Sequence, residues 1–136
     1  MIVVDTNVLA YLWLPGELTA VAERVLEADA AWAAPLLWRS EFRSVLTGAL
    51  RRRTLSLARA RQIAAAAERQ LHGSEYAVSS AVVLELALRS GCSAYDCEYV
   101  ALAADLGVPL VTNDRHVLAA FPDRAASPDS FAGRAR

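Results

Sequence analysis

Lysine is absent from this 136-residue chain, so all 14 of its Lys/Arg positions are arginine. Any phosphate contact made by a permanent side-chain cation must therefore use a guanidinium fork rather than an ammonium point charge. Cysteine is nearly absent. Cys92 and Cys97 are the only two, with no CxxC spacing and no histidine nearby. That argues against a disulfide scaffold and against a zinc site, and it sets the expectation of a reducing, cytoplasmic setting. No apolar run approaches the ~18 residues of a membrane span. The first residues lack the basic and long apolar regions of a secretory leader. Internal repeats and low-complexity linkers are also missing. The net charge of −1 does not by itself announce a nucleic-acid binder.

What remains is 55% hydrophobic and of a length that suits one domain, residues 1–136, with a real core. Residues 1–4 read as a short strand, apolar on both faces. A helix fits 6–13 and stops at Pro15-Gly16. Helical patterns then cover 17–30, 36–53, 55–73, 79–91 and 93–107. Short strands are expected at 31–35, 76–78 and 108–112, and a last helix at 114–121. Ser93 is a natural N-cap, and Gly73, Gly91 and Gly107 are natural helix ends. The final eight or so residues are expected to fray. Strands alternating with helices imply a central parallel sheet flanked by helices on both faces. In such sheets ligands bind beyond the carboxyl ends of the strands, near a topological switch point.

Two of those strand ends run into acids: "MIVVDTN" into Asp5, and "VPLVTND" into Asp114. Two more acids sit on apolar helical stripes. Glu41 lies three residues after Trp38 and four before Val45. Asp96 lies four after Cys92 and three before Tyr99. Each has an ordinary reading, as an N-cap or as half of an ion pair with Arg39 or Arg43. Glu23 and Glu27 are spaced like a solvated face, and Glu85 and Glu98 are ambiguous. Four converging carboxylates repel one another unless protonated or paired with cations. No comparable set of basic residues is placed to neutralise Asp5, Glu41, Asp96 and Asp114. Hard divalent cations, which prefer oxygen ligands, are the natural counter-charge. Such a site suits metal-assisted phosphodiester hydrolysis.

The stretches "VVDTNVLAYL", "SEFRSVL", "SAYDCEYVALAADLGVPLVTND" and "DRHVL" resemble the PIN-domain family. More narrowly they resemble the VapC-type toxins of type II toxin–antitoxin pairs. The similarity runs from Met1 to about Phe121, and the block from Asp96 through Asp114 is its most specific part. The resemblance implies a PIN-like α/β fold and an endoribonuclease dependent on Mg²⁺ or Mn²⁺. It matches Asp5, Glu41, Asp96 and Asp114 to the family's four acids. Asp5, Asp96 and Asp114 would hold metal, and Glu41 would hold metal or orient the attacking water. Thr6 and Asn7 follow the first acid as in the family, and Thr112 matches a threonine that orients a carboxylate or water. Cys92 and Cys97 stand where the family often has Leu and Ala. The resemblance further implies a VapB-type antitoxin, an RNA substrate, toxin homodimers and toxin–antitoxin hetero-oligomers.

Substrate binding would need positive charge beside the acids. Arg43, Arg51, Arg52, Arg53 and Arg115 are the candidates for RNA-phosphate contacts, although basic residues at a helix C-terminus also complement its dipole. Trp13, Leu14, Trp32 and Trp38 are more large apolar residues than a small core strictly needs, so some are candidates for a partner-facing surface, with simple core packing the stronger reading for any single one. His72 and His116 are not placed like a catalytic couple. Two rival readings come from other classes. One is a non-catalytic PIN-like module that binds RNA or protein. The other is a phosphatase with an aspartyl nucleophile after its first strand; that chemistry needs a second Asp two residues on, where this chain has Asn7.

Overall fold

The structure, a computed structural model, describes residues 1–134. Strand β1 (Ile2–Val4) leads into α1 (Thr6–Trp13) and α2 (Thr19–Ala28), then β2 (Trp32–Pro35). Next come α3 (Trp38–Arg51), α4 (Leu57–Gln70) and β3 (Glu75–Tyr76). The second half holds α5 (Ser80–Ser90), α6 (Ala94–Leu106), β4 (Leu110–Val111), α7 (Arg115–Ala120), β5 (Ala125–Ala126) and α8 (Pro128–Arg134). None of these helices is long and apolar enough to cross a membrane.

The sheet is parallel throughout, in the order β3-β2-β1-β4-β5. The first strand is therefore central. The chain builds outward on one side as β2 and β3, then crosses back to add β4 and β5 on the other. Parallel crossovers are right-handed, so this reversal of direction puts helices on both faces. It also makes the gap beyond the ends of β1 and β4 the switch point. β1 is buried on both sides, which explains its unbroken apolar run.

Helix α6 packs across β1, β2 and β4 and also against α5. It is buried on several sides, with Cys97, Tyr99, Val100, Ala101, Leu102 and Ala103 all in the core. Ser93 Oγ accepts the Asp96 N–H at 3.0 Å, and Gly107 closes the helix at φ 67°, both as the sequence predicts. The predicted helices overran their ends: 36–53 shrinks to Trp38–Arg51, and 55–73 to Leu57–Gln70 with Gly73 in the turn beyond. The strand expected at 108–112 is reduced to two paired residues. β5 and α8 were not expected. Ala132 is buried and α8 packs on α2, so Pro128–Arg134 are helical where fraying was expected; residues 135–136 lie outside the described residues.

Core packing holds for two of the tryptophans. Trp32 and Trp38 are both buried, and their indole N–H groups donate to Asp29 O at 2.7 Å and Glu75 Oε1 at 2.6 Å. Trp13 and Leu14 are half-buried, and the Trp13 indole donates to Gln70 Oε1 at 2.8 Å. Packing an indole with its N–H satisfied is the usual way to bury a tryptophan.

Helix α3 ends on strained backbone. Arg53 is the one non-glycine with positive φ among the described residues, at 60°, and the Thr54 N–H reaches back to Ala49 O at 3.1 Å. Glycine ordinarily takes this left-handed position. Arg53→Gly should therefore raise the melting temperature, with a gain of about 0.5–1 kcal/mol in a denaturant titration, because the αL cost of a side chain exceeds the extra chain entropy of glycine there. A lower melting temperature would mean that the Arg53 side chain makes a stabilising contact.

Candidate functional site

Four segments distant in sequence bring their acids to one open cleft at the switch point. The cleft has a volume of about 560 Å³ and is lined by Asp5, Thr6, Asn7, Glu41, Ser44, Val45, Gly48, Arg52, Asp96 and Asp114. Asp5 follows β1, Glu41 sits in the first turn of α3, Asp96 in the first turn of α6, and Asp114 opens α7. The sequence-predicted quartet is thus brought together.

Asp5 is the most constrained. Its Oδ1 accepts the Thr6 N–H at 2.7 Å, which makes it the N-cap of α1. Its Oδ2 accepts the Thr112 hydroxyl at 2.6 Å and, more weakly, Asn7 Nδ2 at 3.4 Å. Burial pushes its pKa up to about 6, against the pull of the Thr112 and Thr6 hydrogen bonds, with the charges of Glu41 and Asp96 adding to the rise. Asp114 has a similar double role. Its Oδ1 caps α7, accepting the N–H groups of His116 at 2.8 Å and Val117 at 3.1 Å. Capping and site membership coexist because a carboxylate has two oxygens and several lone pairs.

Thr112 ties the two together. It is fully buried, donates to Asp5 and accepts the Asp114 N–H at 3.1 Å. The bond spans the gap between β1 and β4, so it fixes the switch point at the site itself.

Among the described residues Glu41 has no basic partner within 4.0 Å. Arg39 pairs instead with Glu75 at 2.6 Å and Glu68 at 3.0 Å, and Arg43 approaches Glu68 at 4.0 Å. Glu41 Oε1 accepts the Tyr99 hydroxyl at 2.5 Å and the Thr6 hydroxyl at 3.2 Å; the two hydroxyls are 2.6 Å apart. Burial first, and then the bond to Glu41, push the Tyr99 hydroxyl pKa well above its usual value, so it remains a donor. Tyr99 is the residue that sequence reasoning missed. Its position marks a core stripe, and the ring is indeed buried at 2% exposure. A buried tyrosine needs a partner for its hydroxyl, and that was the available signal. Tyr99→Phe keeps the ring and removes the donor. It should leave the fold intact and lower any activity that depends on Glu41 by about 10–100-fold, as loss of groups orienting a metal ligand does. Circular dichroism and cleavage rates measured together check this.

Of the candidate arginines only Arg52 lines the cleft; Arg43, Arg51, Arg53 and Arg115 do not. Arg51 is the last residue of α3, Arg52 its C-cap, and Arg53 leaves the helix at positive φ, so the run does not continue along one helical face.

The donors around the cleft are oxygens, as a hard divalent cation requires. Among the described residues no three Asp, Glu, His or Cys side chains stand close enough to form a preassembled metal-binding group. The chemistry therefore fits a cation held by one or two carboxylates and completed by water, the usual state of Mg²⁺.

Fold and site together define a class: a parallel α/β domain with a carboxylate-lined cleft at its switch point. The PIN domain family matches residues 2–123, and the chain belongs to that family, whose members are generally nucleases that use divalent metals. Comparison with curated proteins gives no match. Among solved structures the chain is similar to PAE2754 from Pyrobaculum aerophilum. The TM-score is 0.77 at 21% identity, over 98% of this chain and 88% of that one, a likeness of fold.

Proposed function

We propose that this PIN domain is a metal-dependent endoribonuclease and acts as the VapC-type toxin of a toxin–antitoxin pair. The observation that carries the reading is the convergence of Asp5, Glu41, Asp96 and Asp114 on one open cleft, with Asp5 buried enough to have its pKa near 6. Asp5, Asp96 and Asp114 would hold Mg²⁺ or Mn²⁺, one or two of them directly and the rest through water, with Glu41 as a further ligand or as the residue that orients water. The bound cation would supply charge stabilisation at the phosphate and a more acidic water.

The chain's own residues do the rest. Thr112 and the Thr6 N–H hold the Asp5 carboxylate in one orientation. Tyr99 and Thr6 hold Glu41 by Oε1, and Oε2, with no hydrogen-bond partner among the described residues, is left to orient the attacking water and take its proton. Water oxygen bonds to phosphorus, the P–O bond to the leaving ribose oxygen breaks, and that oxygen takes a proton from solvent. Asn7, in the turn that Asp5 caps, supports Asp5.

The resemblance to toxins is what supports a VapB-type antitoxin and toxin homodimers as partners. Exposed Leu36, Leu84, Leu88 and Tyr95 offer apolar area of the kind that protein partners cover.

The test is incubation of purified protein with RNA in Mg²⁺, in Mn²⁺ and in chelator, followed by mapping of the product ends, and growth of cells under induction. Metal-dependent cuts and growth arrest are expected. The rival reading is a non-catalytic PIN-like module that binds RNA or protein. RNA bound but uncut at any metal concentration would establish that alternative.

A further inference from the structure

Helix α3 presents a glycine to the cleft. Gly48 lines it together with Ser44 and Val45, one turn before Arg52. A Cβ at Gly48 would stand 3.1 Å from Arg52 Nη1 and 3.9 Å from Cζ. The guanidinium therefore lies back along the helix, over bare backbone, and into the acidic cleft. Glycine inside a helix costs roughly 0.5–1 kcal/mol relative to alanine, so its presence here calls for a reason. Room for the guanidinium supplies one.

Arg52 is also unusual in what it does not do. It is the one basic residue lining a cleft that holds four carboxylates, yet it forms no ion pair within 4.0 Å among the described residues. A cation serving only to neutralise the acids would close on one of them. Its main chain is fixed: the Arg52 N–H donates to Gly48 O at 3.0 Å, and the chain turns away at Arg53 with φ 60°. The side chain lies over Gly48, and among the described residues its donors are unused.

We propose that Arg52, seated over Gly48, is the phosphate subsite of the cleft and takes a backbone phosphate of single-stranded RNA. This rests on the nuclease reading. A polyanion entering an acidic cleft is repelled unless a cation receives it. A guanidinium can bind phosphate oxygens with two parallel N–H donors. Arg51 and Arg53, its neighbours in the run, have no part in this subsite.

The test uses a fluorescent single-stranded RNA and the full chain carrying Asp96→Asn, so that bound RNA stays uncut. Anisotropy titrations across ~50–200 mM salt give the slope of log affinity against log salt. Adding Arg52→Gln should lower that slope by about 0.7, the share of one phosphate contact on a single strand. Arg51→Gln should leave the slope unchanged. Arg52→Lys should keep the slope, because charge sets it, and bind more weakly for want of the fork. Gly48→Ala should raise the melting temperature, because alanine favours the helix, and yet weaken RNA binding, because Nη1 must give way. Wild-type protein that cuts RNA, together with an Arg52→Gln slope equal to that of its parent, would overturn the subsite and leave the nuclease reading standing. A lower melting temperature for Arg52→Gln with no change of slope would likewise overturn it, making Arg52 an internal counter-charge. Wild-type protein that neither cuts nor binds RNA would overturn the nuclease reading and the subsite with it.

Discussion

Asp5→Asn is expected to abolish RNA cleavage and growth arrest while raising the melting temperature of the metal-free protein near pH 8. The two effects have one cause. Asp5 is folded against its own charge: burial, with Glu41 and Asp96 nearby, raises its pKa from 3.8 to about 6. A raised acid pKa means that the native state binds more protons than the unfolded chain between those values. Its contribution to stability therefore falls as pH rises through that window, by about 3 kcal/mol for a shift of roughly two units. Asparagine carries no charge to bury, so the variant should lack that fall. It loses part of the gain because its amide nitrogen cannot accept the Thr112 hydroxyl, which leaves a net stabilisation of about 1–2 kcal/mol. Under the proposed function the same lost charge removes a metal ligand. Cleavage should drop by at least about a hundredfold, since even the partners of metal ligands are worth ~10–100-fold. Wild type should gain about 2.7 kcal/mol from a divalent ion at ~100 times its dissociation constant, and the variant much less. Thermal melts from about pH 4 to pH 8, with chelator and with Mg²⁺ or Mn²⁺, measure the stability effects, and RNA cleavage rates measure the rest. If Asp5→Asn melts below wild type in chelator and both respond equally to metal, Asp5 is a helix cap and nothing more.

Thr112→Val should be nearly as severe for activity and opposite in its effect on stability. The hydroxyl is fully buried and serves both acids at the switch point, donating to Asp5 and accepting the Asp114 N–H. Valine has the same shape and no polar atom. A buried carboxylate oxygen loses its shortest donor and a backbone N–H loses its acceptor, at about 1–3 kcal/mol for each unsatisfied group. The Thr112 hydrogen bond is also the largest influence holding the Asp5 pKa down. Without it that pKa moves higher than about 6, so the acidic limb of the cleavage–pH profile should shift to higher pH. Thr112→Ser restores the hydroxyl and should restore the limb. A profile unchanged in the valine variant would show that Asp5 does not titrate in the working enzyme.

The elements legible in the sequence are those fixed by local chemistry. β1 showed as an unbroken apolar run because both its faces are covered. The borders of α6 showed because Ser93 and Gly107 are capping residues with their own hydrogen bonds. Glu41 and Asp96 stood out because an acid on an apolar stripe breaks the helical period. β5 and α8 gave no such signal. Two paired alanines have no alternation to read, and a seven-residue helix spans barely two turns.

The sequence by itself determined the class of fold and the four acids, because strand ends, caps and stripes are written in neighbouring residues; the threonine after β4 was marked by the family resemblance. The tertiary structure decided which groups meet. Tyr99 reaches Glu41 across 58 positions, and Thr112 reaches Asp5 across 107, once α6 crosses the sheet and β4 pairs with β1. It also chose Arg52 from a run of three arginines that the sequence presents as equals. Hydrogen bonds and buried charge depend on separations of a few ångströms, and packing alone sets those between residues far apart in the chain.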